Sequence, residues 1–211
     1  MRVIAGSARG RTLQAPRGLR VRPTAARARE SLFGILGAAV EAARVLDLYA
    51  GVGCLGIEAL SRGAAHVTFV EFEAAAARLL RRNLAHCGFP EARGAPPQEA
   101  AAAGPRARLL VQPVARALRW LARRGEGFDV VLADPPYGAR EHGALLAALG
   151  GGSLLRRGGL VILEHHRKLE VPASAGRLRL RWQRDVGGTR FTAYGDDPAA
   201  AEEGSPCRTR N

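Results

Sequence analysis

Between residues 45 and 164, short apolar runs alternate with longer stretches of helical periodicity, and this alternation narrows the possible folds more than any other feature. Residues 45–49, 66–71, 108–111, 128–133 and 160–164 read as strands, and 55–62, 74–87, 114–124 and 142–149 as the helices between them. A strand followed by a helix must cross over before it can pair again, which makes neighbouring strands parallel. Nearly continuous apolar strands then fit a sheet covered by helices on both faces. The ending differs. Residues 178–184 and 189–194 flank Asp185-Val-Gly-Gly188, the pattern of an antiparallel hairpin. The expected fold is α/β, with a mostly parallel seven-stranded sheet, an antiparallel C-terminal hairpin and helices on both faces.

Before this pattern lies a segment of different character. Arg2-Val-Ile-Ala and Arg11-Thr-Leu-Gln are strand-like runs joined by Gly6-Ser-Ala-Arg-Gly10, which predicts a β-hairpin appendage over residues 1–24. Pro16, Gly18 and Pro23 break the chain there, and Thr24 is placed to cap a helix starting at Ala25. Leu32, Phe33, Ile35 and Leu36 fall on its apolar face. The main domain is expected over 25–194. Residues 92–105 read as a low-complexity loop, and 195–211, without apolar periodicity, as a disordered tail. With 47% apolar residues in 211, one substantial core is expected.

The formal charge is +13, and eight arginines precede the first acid, Glu30. A GC-rich genome explains arginine in place of lysine but not the excess over acids, and the field it creates favours a polyanion such as nucleic acid. Three scattered cysteines fit reduced thiols better than a disulfide framework, without metal-ligand spacing. No apolar run approaches a membrane span and the N-terminus carries no secretory signal, so a cytoplasmic, metal-free, monomeric protein is expected.

In "VLDLYAGVGCLGIEAL", Gly51, Gly53 and Gly56 satisfy G-x-G-x-x-G between a strand and a helix. Glu71 follows 20 residues after Gly51, at the end of the next strand, where a carboxylate accepts from ribose hydroxyls. Together they indicate an adenosine-containing ligand, either a nicotinamide dinucleotide or S-adenosylmethionine. Asp47 favours the second. A carboxylate four residues before the first glycine suits a cationic amino group and repels a pyrophosphate. Phe72, beside Glu71, could pack on an adenine face.

"VVLADPPYGAR" ends the fourth strand on the same rim. An exocyclic base amine is a poor nucleophile because its lone pair is delocalised, and acceptors that draw its N–H groups out of the ring plane localise that pair. Asp134 supplies one acceptor and the Pro135 carbonyl a second. Pro135 precedes Pro136, so its backbone is confined and its carbonyl largely aimed, and neither proline brings a competing N–H. Tyr137 offers a face for stacking the base. Asp134, Pro135, Pro136 and Tyr137 are therefore the expected catalytic set.

"DLYAGVGCLGIEALSRGA", "FVEFE" and "DPPYG" resemble the Rossmann-like class I methyltransferases that modify exocyclic amines. "MRVIAGSARGRTL", "RPTAARARESLFGIL", "ILEHH" and "GGTRFTAY" resemble, more narrowly, the bacterial 16S rRNA guanine-N2 methyltransferases, over nearly all of residues 1–194. The resemblance implies S-adenosylmethionine as cofactor, held by Asp47, Tyr49, Gly51, Gly53, Glu71 and Phe72. It also implies small-subunit rRNA as partner, naked or in an assembled or partly assembled subunit, with Arg2, Arg9, Arg11 and Arg22 on phosphates. Pro113 departs from the family pattern, which has a short polar or acidic residue there near the adenine amine, so no side-chain contact is expected at that place.

Three other readings remain open: an adenine-N6 methyltransferase, a nicotinamide-dependent oxidoreductase and a non-catalytic rRNA-binding or assembly module. His165 and His166 read as structural or substrate-facing, Trp120 and Trp182 as packing, and the arginines at 119, 123 and 124 as a solvated helix face.

Overall fold

The computed structural model describes residues 1–16, 23–91, 106–136 and 139–196, with the side chains of 23–25 and 139–140 excepted. Its elements in chain order are α1 (Pro23–Leu36), β1 (Arg44–Leu48), α2 (Cys54–Ser61), β2 (His66–Glu71) and α3 (Ala74–His86). Then come β3 (Ala107–Val111), α4 (Val114–Arg123), β4 (Phe128–Ala133), α5 (Ala139–Gly150) and β5 (Leu155–His166). The chain closes with β6 (Ser174–Ala175), β7 (Leu178–Val186) and β8 (Thr189–Asp196). The strands form one sheet in the order β3-β2-β1-β4-β5-β8-β7-β6. Pairing is parallel from β3 to β5 and antiparallel from β5 through β8 and β7 to β6.

Alternation along the strands divides the core into two layers. Val45, Phe69, Leu132 and Ile162 face α1, α2 and α3, joining Leu32, Phe33, Ile57, Leu60, Leu80 and Leu84. Leu46, Leu48, Val70, Val131, Ala133 and Leu163 face α4 and α5, joining Leu118, Leu121, Leu146 and Leu149. Since side chains alternate with a period of two, a residue following Val70, Ala133 or Leu163 belongs to the α1–α3 side of the sheet.

The sheet has eight strands rather than the expected seven. The additional β6 spans two residues at the edge, too short for any alternation to show. β5 begins at Leu155, five residues before the expected start. The partner of Phe128 is Leu155 and that of Val130 is Leu160, so Arg156-Arg-Gly-Gly159 bulges out of the ladder, and its turn-like composition hides the strand. Helix α1 starts at Pro23 instead of Ala25, a position where the missing proline N–H costs nothing. Ile35 turns outward and is 46% exposed, so the buried stripe of α1 is Leu32, Phe33 and Leu36.

The N-terminal segment carries one antiparallel bridge, Arg2 to Thr12, in place of two strands. Val3, Ala8 and Leu13 are buried in the α1–α3 core layer, so residues 1–16 share the core of the main domain. Strand β8 extends through Asp196, two residues past the expected end of the domain. The expected loop 92–105 and the tail from 197 onward lie outside the described residues. No helix among the described residues is long and apolar enough to cross a membrane.

At the amino ends of the strands a buried acid is fully paired. Glu126 accepts from Arg108 at 2.7 and 2.9 Å and from Arg44 at 3.3 Å. Burial first, and then both arginines, press the His66 pKa down to about 4, which keeps its imidazole neutral. The opposite, carboxyl rim carries four acids of a different kind.

Candidate active site at the carboxyl rim of the sheet

Asp47, Glu71, Asp134 and Glu164 stand at or near the carboxyl ends of β1, β2, β4 and β5. Among the described side chains no arginine or lysine forms an ion pair with any of them. Such a rim is prepared for something cationic or rich in N–H and O–H donors. A cleft of about 410 Å³ opens there, lined by Tyr49, Glu71, Phe72, Glu73, Val114, Asp134, Pro135 and Pro136.

The glycine turn is built by backbone constraints. Tyr49, Gly51 and Gly53 have φ of +58°, +56° and +89°, left-handed values that a tyrosine adopts at a cost. A Cβ on Gly53 would lie 2.2 Å from Leu80 Cδ1, whereas one on Gly51 would meet nothing within 4 Å. Gly51 thus faces open space while Gly53 lets α3 close in. Asn83, fully buried on α3, locks the turn by donating to the Val52 carbonyl at 3.0 Å. The same side chain exchanges hydrogen bonds with Gln14 at 2.7 and 3.0 Å, tying the N-terminal segment to the turn.

The turn's donors are already engaged. Glu71 accepts from Gly51 N–H at 2.7 Å and Glu73 N–H at 2.6 Å. Asp47 accepts from Gly56 N–H at 2.9 Å, and Gly53 N–H binds the Ala50 carbonyl at 2.8 Å. A pyrophosphate needs those N–H groups and would meet carboxylates in their place. That argues against a nicotinamide dinucleotide and fits a cofactor bearing a sulfonium, an ammonium and a ribose.

Burial pushes the Asp47 pKa up to about 7; its hydrogen bond from Gly56 opposes the rise, while Asp134 and Glu71 add to it. A cation bound beside it would restore its charge. Phe72 is 69% exposed, an unusual state for a phenylalanine, and it stands beside Glu71 at the mouth of the cleft. With open space at Gly51, an exposed ring and Glu71 lining the cleft, the residues present fit S-adenosylmethionine, while Asp47 lies buried against α2 and outside the cleft lining.

Asp134 is open to solvent through the cleft, yet the protein packed around its carboxyl raises its pKa to about 6, against the pull of His142. Pro135 is buried and Pro136 exposed, so the dipeptide forms one wall of the cleft. Tyr137 and Arg22 lie outside the described residues. Arg2, Arg9 and Arg11 are exposed on the N-terminal segment, and Arg11 donates to the His86 carbonyl.

Three functional elements were not anticipated from the sequence. Glu58 is buried on α2 and accepts from the Ile4 and Ala5 N–H groups at 2.8 and 3.1 Å, clamping the N-terminal segment. His142 on α5 packs edge-on to His165, their centroids 6.1 Å apart, and biases Asp134. Glu164 is half-buried; burial first and Asp134 second push its pKa up to about 8, offset by Arg29. His165 is buried and within 2.8 Å of Thr192 Oγ1, as a structural histidine should be. Trp120 and Trp182 pack partly buried against the two core layers.

The family model described as Conserved hypothetical protein 95 matches residues 1–195. The chain belongs to that family. Within it, the chain is 34% identical over 194 residues to YlbH of Bacillus subtilis, named as a candidate rRNA methyltransferase, covering 92% of this chain and 98% of that protein. It is 36% identical over 137 residues to ribosomal RNA small subunit methyltransferase D of Escherichia coli, spanning 65% of this chain and 60% of that one. The solved structure of yhhF from Escherichia coli, named as a candidate methyltransferase, superposes with a TM-score of 0.75 at 30% identity, over 93% and 98% of the two chains. Like these members of the Conserved hypothetical protein 95 family, the chain has the Rossmann-like methyltransferase fold, and its cofactor is S-adenosylmethionine.

Proposed function

We propose that this protein methylates the exocyclic N2 amine of a guanine in small-subunit rRNA. The observation that carries the chemistry is Asp134-Pro135 at the end of β4, forming the inner wall of the cleft that Glu71 and Phe72 line on the other side. The names of the relatives support rRNA as substrate, and the resemblance of the N-terminal block supports guanine N2. When bound, S-adenosylmethionine supplies a methyl group activated by a positive sulfonium.

The residues of the chain do the rest. Asp47 faces the cationic amino end, Glu71 the ribose, and Phe72 the adenine, with Tyr49, Gly51 and Gly53 shaping the turn beneath. Asp134 and the Pro135 carbonyl accept the two hydrogens of the amine and leave its lone pair directed at the methyl group. The N–C bond forms as the C–S bond breaks, its electron pair staying on sulfur, and the nitrogen sheds a proton toward Asp134 or water. Arg2, Arg9, Arg11 and Arg22 hold phosphates, Tyr137 stacks the base, and the base is extruded to reach the rim. The protein acts in the cytoplasm as a monomer on small-subunit rRNA, naked or in an assembled or partly assembled subunit.

The test is Asp134→Ala, assayed by single-turnover methyl transfer to rRNA from an undermodified small subunit. Transfer should fall by about 10³-fold, comparable to removing one group that stabilises a transition state, while cofactor affinity stays nearly unchanged. Methylation near the wild-type rate would sink the clamp.

A further inference from the structure

Glu164 is the acid of the rim for which methyl transfer so far provides no use. Ala133 on β4 and Leu163 on β5 form the last pair of that ladder, and Asp134 and Glu164 each follow it, near enough for Asp134 to act on Glu164 through its charge. Both follow residues of the α4–α5 layer, so both turn toward the α1–α3 side. The sheet order sets Glu71, Asp47, Asp134 and Glu164 in sequence along the rim. The cleft reaches Asp134 but not Glu164. A cofactor held in the cleft would leave its far end at Asp134, and a base presenting its amine there would extend toward Glu164.

The surroundings of Glu164 favour its neutral form. Burial opposes its ionisation most, Asp134 just beyond β4 comes second, Arg29 on α1 assists it, and the Cys54 thiol on α2 is itself pushed up to about 11 and so stays uncharged. Phe191 of β8 lies directly across the ladder. Arg29 is buried, donates to the Arg2 carbonyl at 2.8 Å and makes no ion pair with Glu164, so its help is partial. With one proton shared between two acids, the less solvated partner, Glu164, keeps it.

We propose that Glu164 is a specificity-determining residue that reads the guanine ring as a neutral acid, its carbonyl oxygen accepting from N1–H and its hydroxyl donating to O6. This rests on the guanine-N2 reading above. The two hydrogen bonds close a ring on the base edge beside N2 and leave N2 itself to Asp134 and the Pro135 carbonyl. An adenine with its amine in the same clamp presents a bare N1 and a C2–H, so one of the two hydrogen bonds is lost and a carbonyl faces carbon.

The experiment compares wild type, Glu164→Gln and Glu164→Ala in single-turnover methyl transfer to undermodified small-subunit rRNA between pH 6 and 9.5. The product nucleoside and cofactor affinity are measured in parallel. Glutamine offers the same carbonyl and an N–H in place of the O–H, and it does not ionise. Glu164→Gln should stay within threefold of wild type at pH 7 and lose the decline that wild type shows as pH rises through about 8. Glu164→Ala should fall about 30- to 100-fold in kcat/KM, the scale of two lost hydrogen bonds, with unchanged cofactor affinity. The proposal is overturned if Gln is as impaired as Ala, if Gln retains the alkaline decline, or if Ala matches wild type. Should Ala fail to bind cofactor through misfolding, the Gln profile alone decides. A wild-type product other than N2-methylguanosine would overturn the substrate reading itself, and no variant enters that result.

Discussion

Replacing Asp47 by asparagine should make the free protein more stable at alkaline pH and its cofactor binding weaker. Asp47 is 2% exposed and its carboxyl is held at a pKa of about 7 instead of 3.8, chiefly by burial. Above pH 8 that shift costs the charged side chain about 4 kcal/mol relative to the unfolded chain. The sign follows from the proton. Between 3.8 and 7 the folded protein keeps a proton that the unfolded chain has released, so this stability is fully present below 3.8 and lost as pH rises through 7. Asparagine has nearly the same shape and can still accept from Gly56 N–H, now 2.9 Å from Asp47, but its amide N–H₂ needs partners of its own. The net gain at pH 8.5 should be about 2 kcal/mol, or about 4–8 °C in Tm for a chain of this size. At pH 5 the unfolded chain is already ionised while folded Asp47 keeps its proton, so only about 1.6 kcal/mol of that cost is present and the advantage of asparagine should disappear. Losing a charged partner for the cofactor's amino group should weaken binding by about 10- to 100-fold. Urea unfolding at the two pH values and calorimetric cofactor titration measure both effects. An equal stability change at pH 5 and 8.5, or unaltered cofactor affinity, would refute the reasoning.

Two further substitutions test how the site is held. Gly56→Ala places a Cβ 2.2 Å from Phe69 Cε1 and 2.8 Å from Asp47 Oδ2, and should cost about 3 kcal/mol in urea unfolding; wild-type stability would mean α2 can retreat from β1 and β2. Glu58→Ala removes the acceptor of the Ile4 and Ala5 N–H groups and the partner of Arg62 at 2.7 Å. It should cost about 2–4 kcal/mol, speed amide exchange at residues 3–5 and lower RNA affinity with little effect on cofactor affinity. Protected amides in that variant would show that the apolar contacts of Val3 and Leu13 and the Asn83–Gln14 hydrogen bonds hold the segment without Glu58.

The parallel half of the sheet was legible because each strand repeats one local rule: apolar residues in short runs, closed by glycine, proline or an acid where the chain turns into a helix. Asp47, Glu71 and Asp134 could be assigned to one rim because each sits at the end of such a run, and in a parallel sheet those ends coincide. What stayed hidden depended on distant partners. Glu58 sits in an apolar helix where an acid looks like a solvated exception; it is buried because backbone N–H groups from 54 and 53 residues upstream dock on it. The glycine turn was legible as a turn, but its N–H groups are taken by Glu71 and Ala50 instead of standing open to a ligand, a fact of three-dimensional closure.

Glu164 shows the same limit from the other side. In the sequence it neighbours two histidines, yet His165 points to Thr192 and is spent there. The partner that matters is one strand over, fixed by the register of Ala133 with Leu163. Parallel register has no local signature, since crossover helices separate the strands and no turn sets their stagger. The physical content of the site lies in that stagger. A one-residue slip of β5 would move Glu164 to the α4–α5 side and bring Leu163 or His165 beside Asp134 in its place. The clamp would then lose the neighbour that, after burial, most favours a proton on Glu164. The long antiparallel pairing of β5 with β8, seven residue pairs from Leu160 to His166, resists that slip and extends past Glu164. The C-terminal hairpin, apart from the cofactor cleft, thereby contributes to the site by holding the register of the strand that carries the second acid.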